Sequence, residues 1–267
     1  RDPEISQHNR NLLQERASFI AQDVQYPLRV SPSLVIAPRF LTSQFNASYQ
    51  PINGFFDEGI TLTTPFLQSG DDVLLMVFSH EFGHAIFEST VIQPAMAELG
   101  INPYSFNGPE LAKIRQFTTP INEMFADIVA HLYSEGSLAK TFQVIIPFVE
   151  ESDLPEDQKL FYITKSNDPI GSCRDYHGQY SSLIPASHEM TQEGLDPHLI
   201  LCPAGKSIWD DVTAKRLSRT DTLKHIATIL KDYIVSEMEK GEDVESYLGQ
   251  KYEWNRSIVN FHKTYAD

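Results

Sequence analysis

Two histidines four residues apart, with a glutamate directly after the first, form the stretch of this chain best suited to chemistry: His80-Glu81-Phe82-Gly83-His84. Residues i and i+4 share one face of a helix, so the imidazoles of His80 and His84 can reach a single metal ion, and that is the geometry of a zinc site. Glu81 lies about 100° round the axis from His80, awkward for coordination but close enough to reach a water on the ion, and is placed as a general base. With this chain's content of His and Glu, chance would produce the pattern somewhere with a probability of roughly one in fifty.

The element that must carry these residues is a helix opened by Ser69-Gly70, with Asp71 and Asp72 at its positive end, running on to about Thr90. Its apolar run Val73-Leu74-Leu75-Met76-Val77-Phe78 leaves no polar face, so the helix is expected to be buried all round, and its ionisable side chains must find partners there. Two classes of catalytic zinc site share this pattern. One takes its third ligand from a histidine six residues after the second, following a glycine three residues after it. Here those positions are Thr90 and Phe87, so the third ligand is sought in a glutamate on another helix. A second motif, Asn122-Glu123-Met124-Phe125-Ala126-Asp127, places Glu123 and Asp127 on one face of a helix with Thr119 as cap and Pro120 in its first turn. Two buried carboxylates one turn apart repel unless a cation or a donor stands between them.

At 267 residues and 41% hydrophobic composition the chain can bury a substantial core. A net charge of -15, with no basic run longer than Lys215-Arg216, argues against a nucleic-acid partner, and no apolar stretch approaches the roughly 20 residues of a membrane span. Opening at Arg1 without a hydrophobic leader, the chain reads as a processed product whose targeting segment is not seen, and a propeptide or inhibitor would be equally invisible. Cys173 and Cys202 are either one disulfide of an exported protein or two buried thiols.

Periodicity predicts a surface helix over about Pro3 to Asp23, a short strand within Leu28 to Ala37, and a half-exposed strand over Phe55 to Thr63 that offers an edge beside the histidines. An exposed edge can pair with an extended peptide through main-chain hydrogen bonds, which favours a peptide substrate. Helices are then expected over Val91 to Leu99, Pro109 to Phe117, Pro120 to Ser134, Ser137 to Glu150, Pro155 to Thr164 and Ala204 to Leu217. Two more follow at the C-terminus, one ending before Gly241 and one over Val244 to Phe261. Ser166 to Pro203, rich in Pro, Gly, Ser and His, has no period and carries both cysteines.

The pair HEFGH and NEMFAD resembles the gluzincin metallopeptidases, particularly their thermolysin-like branch, through short motifs spread over about Asn46 to Trp209. The resemblance implies an α+β, two-lobed zincin-like fold: residues 1–100 as an N-terminal lobe with a small sheet and the active-site helix, and residues 101–267 as a mainly helical lobe supplying the glutamate. It implies His80, His84 and Glu123 as zinc ligands, Glu81 as general base, Asp127 orienting His80 and Asn122 holding His84. The 39 residues from His84 to Glu123, longer than the family's interval, mark a divergent member. Asn46 and Ala47 match the family's substrate-binding edge strand. Arg174 stands where the family has an arginine for the substrate carbonyl, the alternative being a surface ion pair with Asp175. His198, chosen over His177 and His188, matches the histidine that steadies the oxyanion, with Asp196 as its orienting carboxylate, two residues before it rather than five.

What the resemblance implies is a secreted or periplasmic zinc endopeptidase acting on a peptide or protein, the exopeptidase motif of the related aminopeptidases being absent. A zinc hydrolase of another substrate and a non-catalytic zinc-containing binding module are the rival expectations. Calcium has no DxDxDG loop in its favour.

Overall fold

The computed structural model describes residues 5–24, 33–36, 47–50, 59–102, 109–166, 173–177, 197–241, 247 and 250–266. The fold is mainly helical with one small mixed sheet, an α+β arrangement. Helix α1 (Gln7–Asp23) leads to strands β1 (Ser33–Ile36), β2 (Ser48–Gln50) and β3 (Gly59–Leu62), in the sheet order β1-β3-β2. β3 runs parallel to β1 and antiparallel to β2, with Tyr49 opposite Ile60. The strand next to the histidine helix, expected as a half-exposed edge, is thus the central one among the described residues: Gly59, Ile60 and Leu62 are buried, and β1 and β2 flank it as the two edges. Two neighbouring strands cover what alternation of Ile60 and Leu62 with threonines suggested would be open.

After a single turn, α2 (Thr64–Leu67), comes α3 (Asp71–Phe87), whose residues from Met76 to Phe87 are all buried. A π-helical turn, Glu88–Ile92, joins it directly to α4 (Gln93–Glu98), so the two helices read from the sequence form one rod, ended by Gly100 at φ +69°. At the rod's start His8 Nε2 meets both carboxylate oxygens of Asp71 at 2.9 Å.

Against α3 lies α5 (Pro109–Tyr133), a single 25-residue helix where two were expected. Pro120, by local propensity the start of the second, sits inside, and its missing N–H deprives the carbonyl one turn back of a donor. Burial of Ile114, Phe117 and Ile121 carries the helix through, and the Thr119 hydroxyl donates to Arg115 O at 2.8 Å in the same turn. The chain continues through α6 (Leu138–Thr141), a 3₁₀ turn (Phe142–Ile145), α7 (Ile146–Glu150) and α8 (Glu156–Ser166). It then passes α9 (Pro197–Ile200), α10 (Cys202–Ala214), α11 (Arg219–Lys240) and α12 (Lys251–Ala266). Phe117 of α5 stacks on Trp254 of α12 at 5.5 Å and on Tyr233 of α11 at 6.3 Å, which roots α5 in the C-terminal helices. No helix among the described residues is long and apolar enough to cross a membrane.

Candidate metal centre

Gly83, between the two histidines, sets how closely α3 and α5 approach. A Cβ there would lie 2.7 Å from Ala126 Cα and 3.1 Å from Val129 Cβ, so only glycine lets the helices pack at this distance. The close crossing sets the polar faces of the two motifs against each other. His80 Nε2 and His84 Nε2 lie 3.1 Å apart, and Glu123 Oε2 is 3.3 Å from the first and 3.6 Å from the second. Both histidines and Glu81 are buried.

The far side of each ring is already committed. His80 Nδ1 is 2.9 Å from Asp127 Oδ1, and His84 Nδ1 is 2.9 Å from Asn122 Oδ1. A carboxylate and an amide oxygen can only accept, so both Nδ1 atoms carry the proton and both Nε2 atoms present lone pairs. Two ring nitrogens and an anionic oxygen therefore converge at 3.1 to 3.6 Å, with Glu123 Oε2 buried among them. Such a cluster is stable only around a cation, and two imidazoles with one carboxylate match the donor set of zinc better than the six to eight oxygens calcium takes. Without an ion a proton takes that place. Burial pushes His80 down, but its hydrogen bonds to Asp127 and Glu123 outweigh burial and raise it to about 9. Burial pushes Glu123 up, and the charges of His84, His198 and His80 reverse this and hold it far below the usual carboxylate range.

Glu81 Oε2 stands 4.0 Å from His84 Nε2, a carboxylate beside the donor cluster and outside its tight contacts. His198, at the start of α9, brings Nε2 to 3.1 Å from Glu123 Oε2 with its ring 6.0 Å from that of His80. His177 instead lies against His131 and Trp209. On the other side, β2 runs along α3, Ala47 is buried, and the Tyr49 ring stacks on His84 at 6.4 Å. A cavity of about 30 Å³ opens between these groups, lined by His80, Glu81, His198, Arg174, Ala47 and Leu138 among others. Asn46, Asp196 and His188 lie outside the described residues, as does most of Ser166 to Pro203.

Arg174 lines this cavity, and its main partner is Asp127, not the neighbouring Asp175 of the expected surface pair. It is 3% exposed and grips Asp127 at two points, Nε to Oδ2 at 2.9 Å and Nη2 to Oδ1 at 2.6 Å, with Nη2 also 3.5 Å from His80 Nδ1. The surface pair with Asp175 does not form; Asp175 accepts the Ser137 hydroxyl at 2.8 Å. A buried carboxylate one helical turn from Glu123 attracts the nearest guanidinium more strongly than a half-exposed neighbour can. Burial pushes Asp127 up, but the charge and hydrogen bonds of Arg174, with the hydrogen bond to His80, hold it below the usual range.

His131, which no motif of the sequence singles out, supports this arrangement. Its Nε2 is 2.7 Å from the carbonyl oxygen of Arg174 and 3.2 Å from the amide of Tyr176, and burial keeps the ring on the neutral side. It follows Asp127 by four as Asp127 follows Glu123, so the signal was a third polar residue on one face of α5. Behind it Cys173 and Cys202 form a disulfide, and Gly205 leaves room for the buried Tyr176, whose hydroxyl would lie 2.0 Å from a Cβ there. Compared with known proteins, the chain matches no family model, no curated protein and no solved structure.

Proposed function

We propose that this protein is a zinc-dependent metalloendopeptidase with a two-lobed, thermolysin-like frame. The observation that carries the reading is the convergence of His80 Nε2, His84 Nε2 and Glu123 Oε2, with both Nδ1 atoms already donating elsewhere. Zinc, when bound, supplies Lewis acidity that brings the pKa of water towards about 7. Glu81 takes the proton from the attacking water and delivers it to the leaving amine. His198 donates to the developing oxyanion, and Arg174 keeps Asp127 charged so that His80 stays in the tautomer that ligates. Strand β2, at an edge of the sheet among the described residues and packed along α3 beside His84, supports a peptide substrate, since an extended backbone binds by strand pairing next to such a site. The disulfide fits an exported protein.

Metal analysis and peptide cleavage by the parent and a Glu81→Gln variant test this reading. One zinc per chain in both, with turnover down by about 10⁴-fold and peptide binding kept in the variant, is the expected result. A Glu81→Gln protein that keeps zinc and cleaves at the parental rate defeats the mechanism. A zinc-loaded parent that cuts no peptide moves the reading to a hydrolase of another substrate.

A further inference from the structure

Where α9 meets α10, two backbone groups need partners from outside their own helices. Ile200 is the last residue of α9, so its carbonyl lies beyond the reach of the helix's own donors, and Ala204, in the first turn of α10, has an N–H that looks to a cap. The residue at that cap is Leu201, whose side chain cannot accept. Asn255, from α12, serves both groups: its Nδ2 donates to Ile200 O at 2.8 Å and its Oδ1 accepts from Ala204 N at 2.9 Å. A carbonyl needs a donor and an N–H needs an acceptor, and an amide side chain carries one of each. We propose that Asn255 is a positioning residue for His198, fixing the angle between α9 and α10 and thereby the direction from which the imidazole faces Glu123.

α9 is one turn long and cannot hold its own direction. It packs on α5, and its His198 Nε2 stands 3.1 Å from Glu123 Oε2. α12 gives the bridge a firm base. Trp254, next to Asn255, is 1% exposed and stacks on Phe117, which precedes Glu123 on α5. Two turns beyond Asn255, the buried His262 brings Nε2 to 2.9 Å from Asp211 Oδ2 of α10. The helix that directs α9 is thus rooted in the helix that carries Glu123, and both sides of the His198–Glu123 contact share one frame. A displacement of about 1 Å at a group that must meet a reacting atom costs about 100-fold in rate. The role of His198 as oxyanion donor rests on the functional reading above; its placement by Asn255 does not.

Modification of histidines by diethyl pyrocarbonate, read residue by residue in the full chain by mass spectrometry, tests the placement without relying on activity. Asn255→Asp keeps an acceptor for Ala204 N and loses the donor to Ile200 O, so it frees α9 while α10 stays capped. His198 is expected to react about 5-fold faster than in the parent, the factor one lost hydrogen bond confers on a local opening, and faster still in Asn255→Ala, while His262 on α12 keeps its parental rate. Turnover is expected to fall about 10- to 100-fold in Asn255→Ala with KM and zinc content kept, and Asn255→Ala/His198→Ala to be no slower than His198→Ala, because both act through one imidazole. Parental His198 reactivity in both Asn255 variants overturns the proposal. Parental turnover in them, with His198→Ala slow, also overturns it and leaves the functional reading standing. A zinc-loaded parent that cuts no peptide removes that reading, and the modification rates still decide whether Asn255 places His198.

Discussion

Arg174 holds Asp127 from behind while Asp127 holds His80: the guanidinium contacts both carboxylate oxygens at 2.9 and 2.6 Å, and one of these oxygens lies 2.9 Å from His80 Nδ1. A residue 94 positions from His80 thereby fixes which of its nitrogens carries the proton. Arg174→Met leaves a buried carboxylate with half its compensation. A loss of about 3 to 5 kcal/mol in unfolding free energy is expected, with zinc affinity falling about 10- to 100-fold. Arg174→Lys keeps the charge but not the two-point grip and should fall between. Denaturant titration and chelator competition on both variants check this. Equal zinc affinity in all three proteins would separate Arg174 from the metal centre.

Gly83 predicts a steric effect on the same centre. In Gly83→Ala the new methyl meets the Ala126 backbone at 2.7 Å, and backbone on a packed helix cannot turn aside as a flexible side chain can. Destabilisation of about 1 to 3 kcal/mol is expected, together with weaker zinc binding, because the shift that relieves the clash separates His80 and His84 from Glu123. Unfolding curves with and without zinc measure both effects. A variant as stable as the parent, with unchanged zinc affinity, would show that the helices do not meet at Gly83.

The pH dependence should run in opposite directions with and without the ion. In chelator-treated protein the folded-state pKa of His80, about 9, lies above its ordinary value of 6.5. Protonated His80 therefore stabilises the fold fully below about pH 6.5, and this contribution is lost as pH rises through about 9. Zinc needs the nitrogen unprotonated, so its affinity should gain about tenfold per pH unit over the same range. Calorimetric melting of chelated and zinc-loaded samples from pH 6 to 9 should show the first falling relative to the second. Zinc uptake that releases no proton at pH 7.5 would contradict the raised value.

Reduction of Cys173–Cys202 should weaken the metal centre as well as the fold. The bridge spans 29 residues, for which the loop-entropy model gives about 3 to 4 kcal/mol, and it anchors the residue next to Arg174. From sequence alone, opening it would loosen the substrate side first. With Arg174 gripping Asp127, the effect reaches His80. Zinc release should rise in a Cys173→Ser/Cys202→Ser protein, and the native parent should titrate no free thiol. Parental zinc retention in the double variant would confine the disulfide to global stability.

The two motifs were legible as shared polar helix faces because their logic is local. A spacing of four on a helix puts His80 with His84, and Glu123 with Asp127, on shared faces whatever the rest of the chain does, and all-round apolarity marks α3 as buried. Only the tertiary structure could place Arg174, whose partner Asp127 is 47 residues away, or make His131 its support, since neither contact leaves any period in the sequence. The same holds for Pro120: local propensity says a helix starts there, and burial of Phe117 and Ile121 on either side overrides it. It holds also for the sheet, where strand order is decided by which neighbours cover β3 and not by its own alternation. His198 stands between the two cases. Its residue type and chain order suggested a place at the site, and the packing of α9 against α5, held by Asn255, decided that its nitrogen faces Glu123.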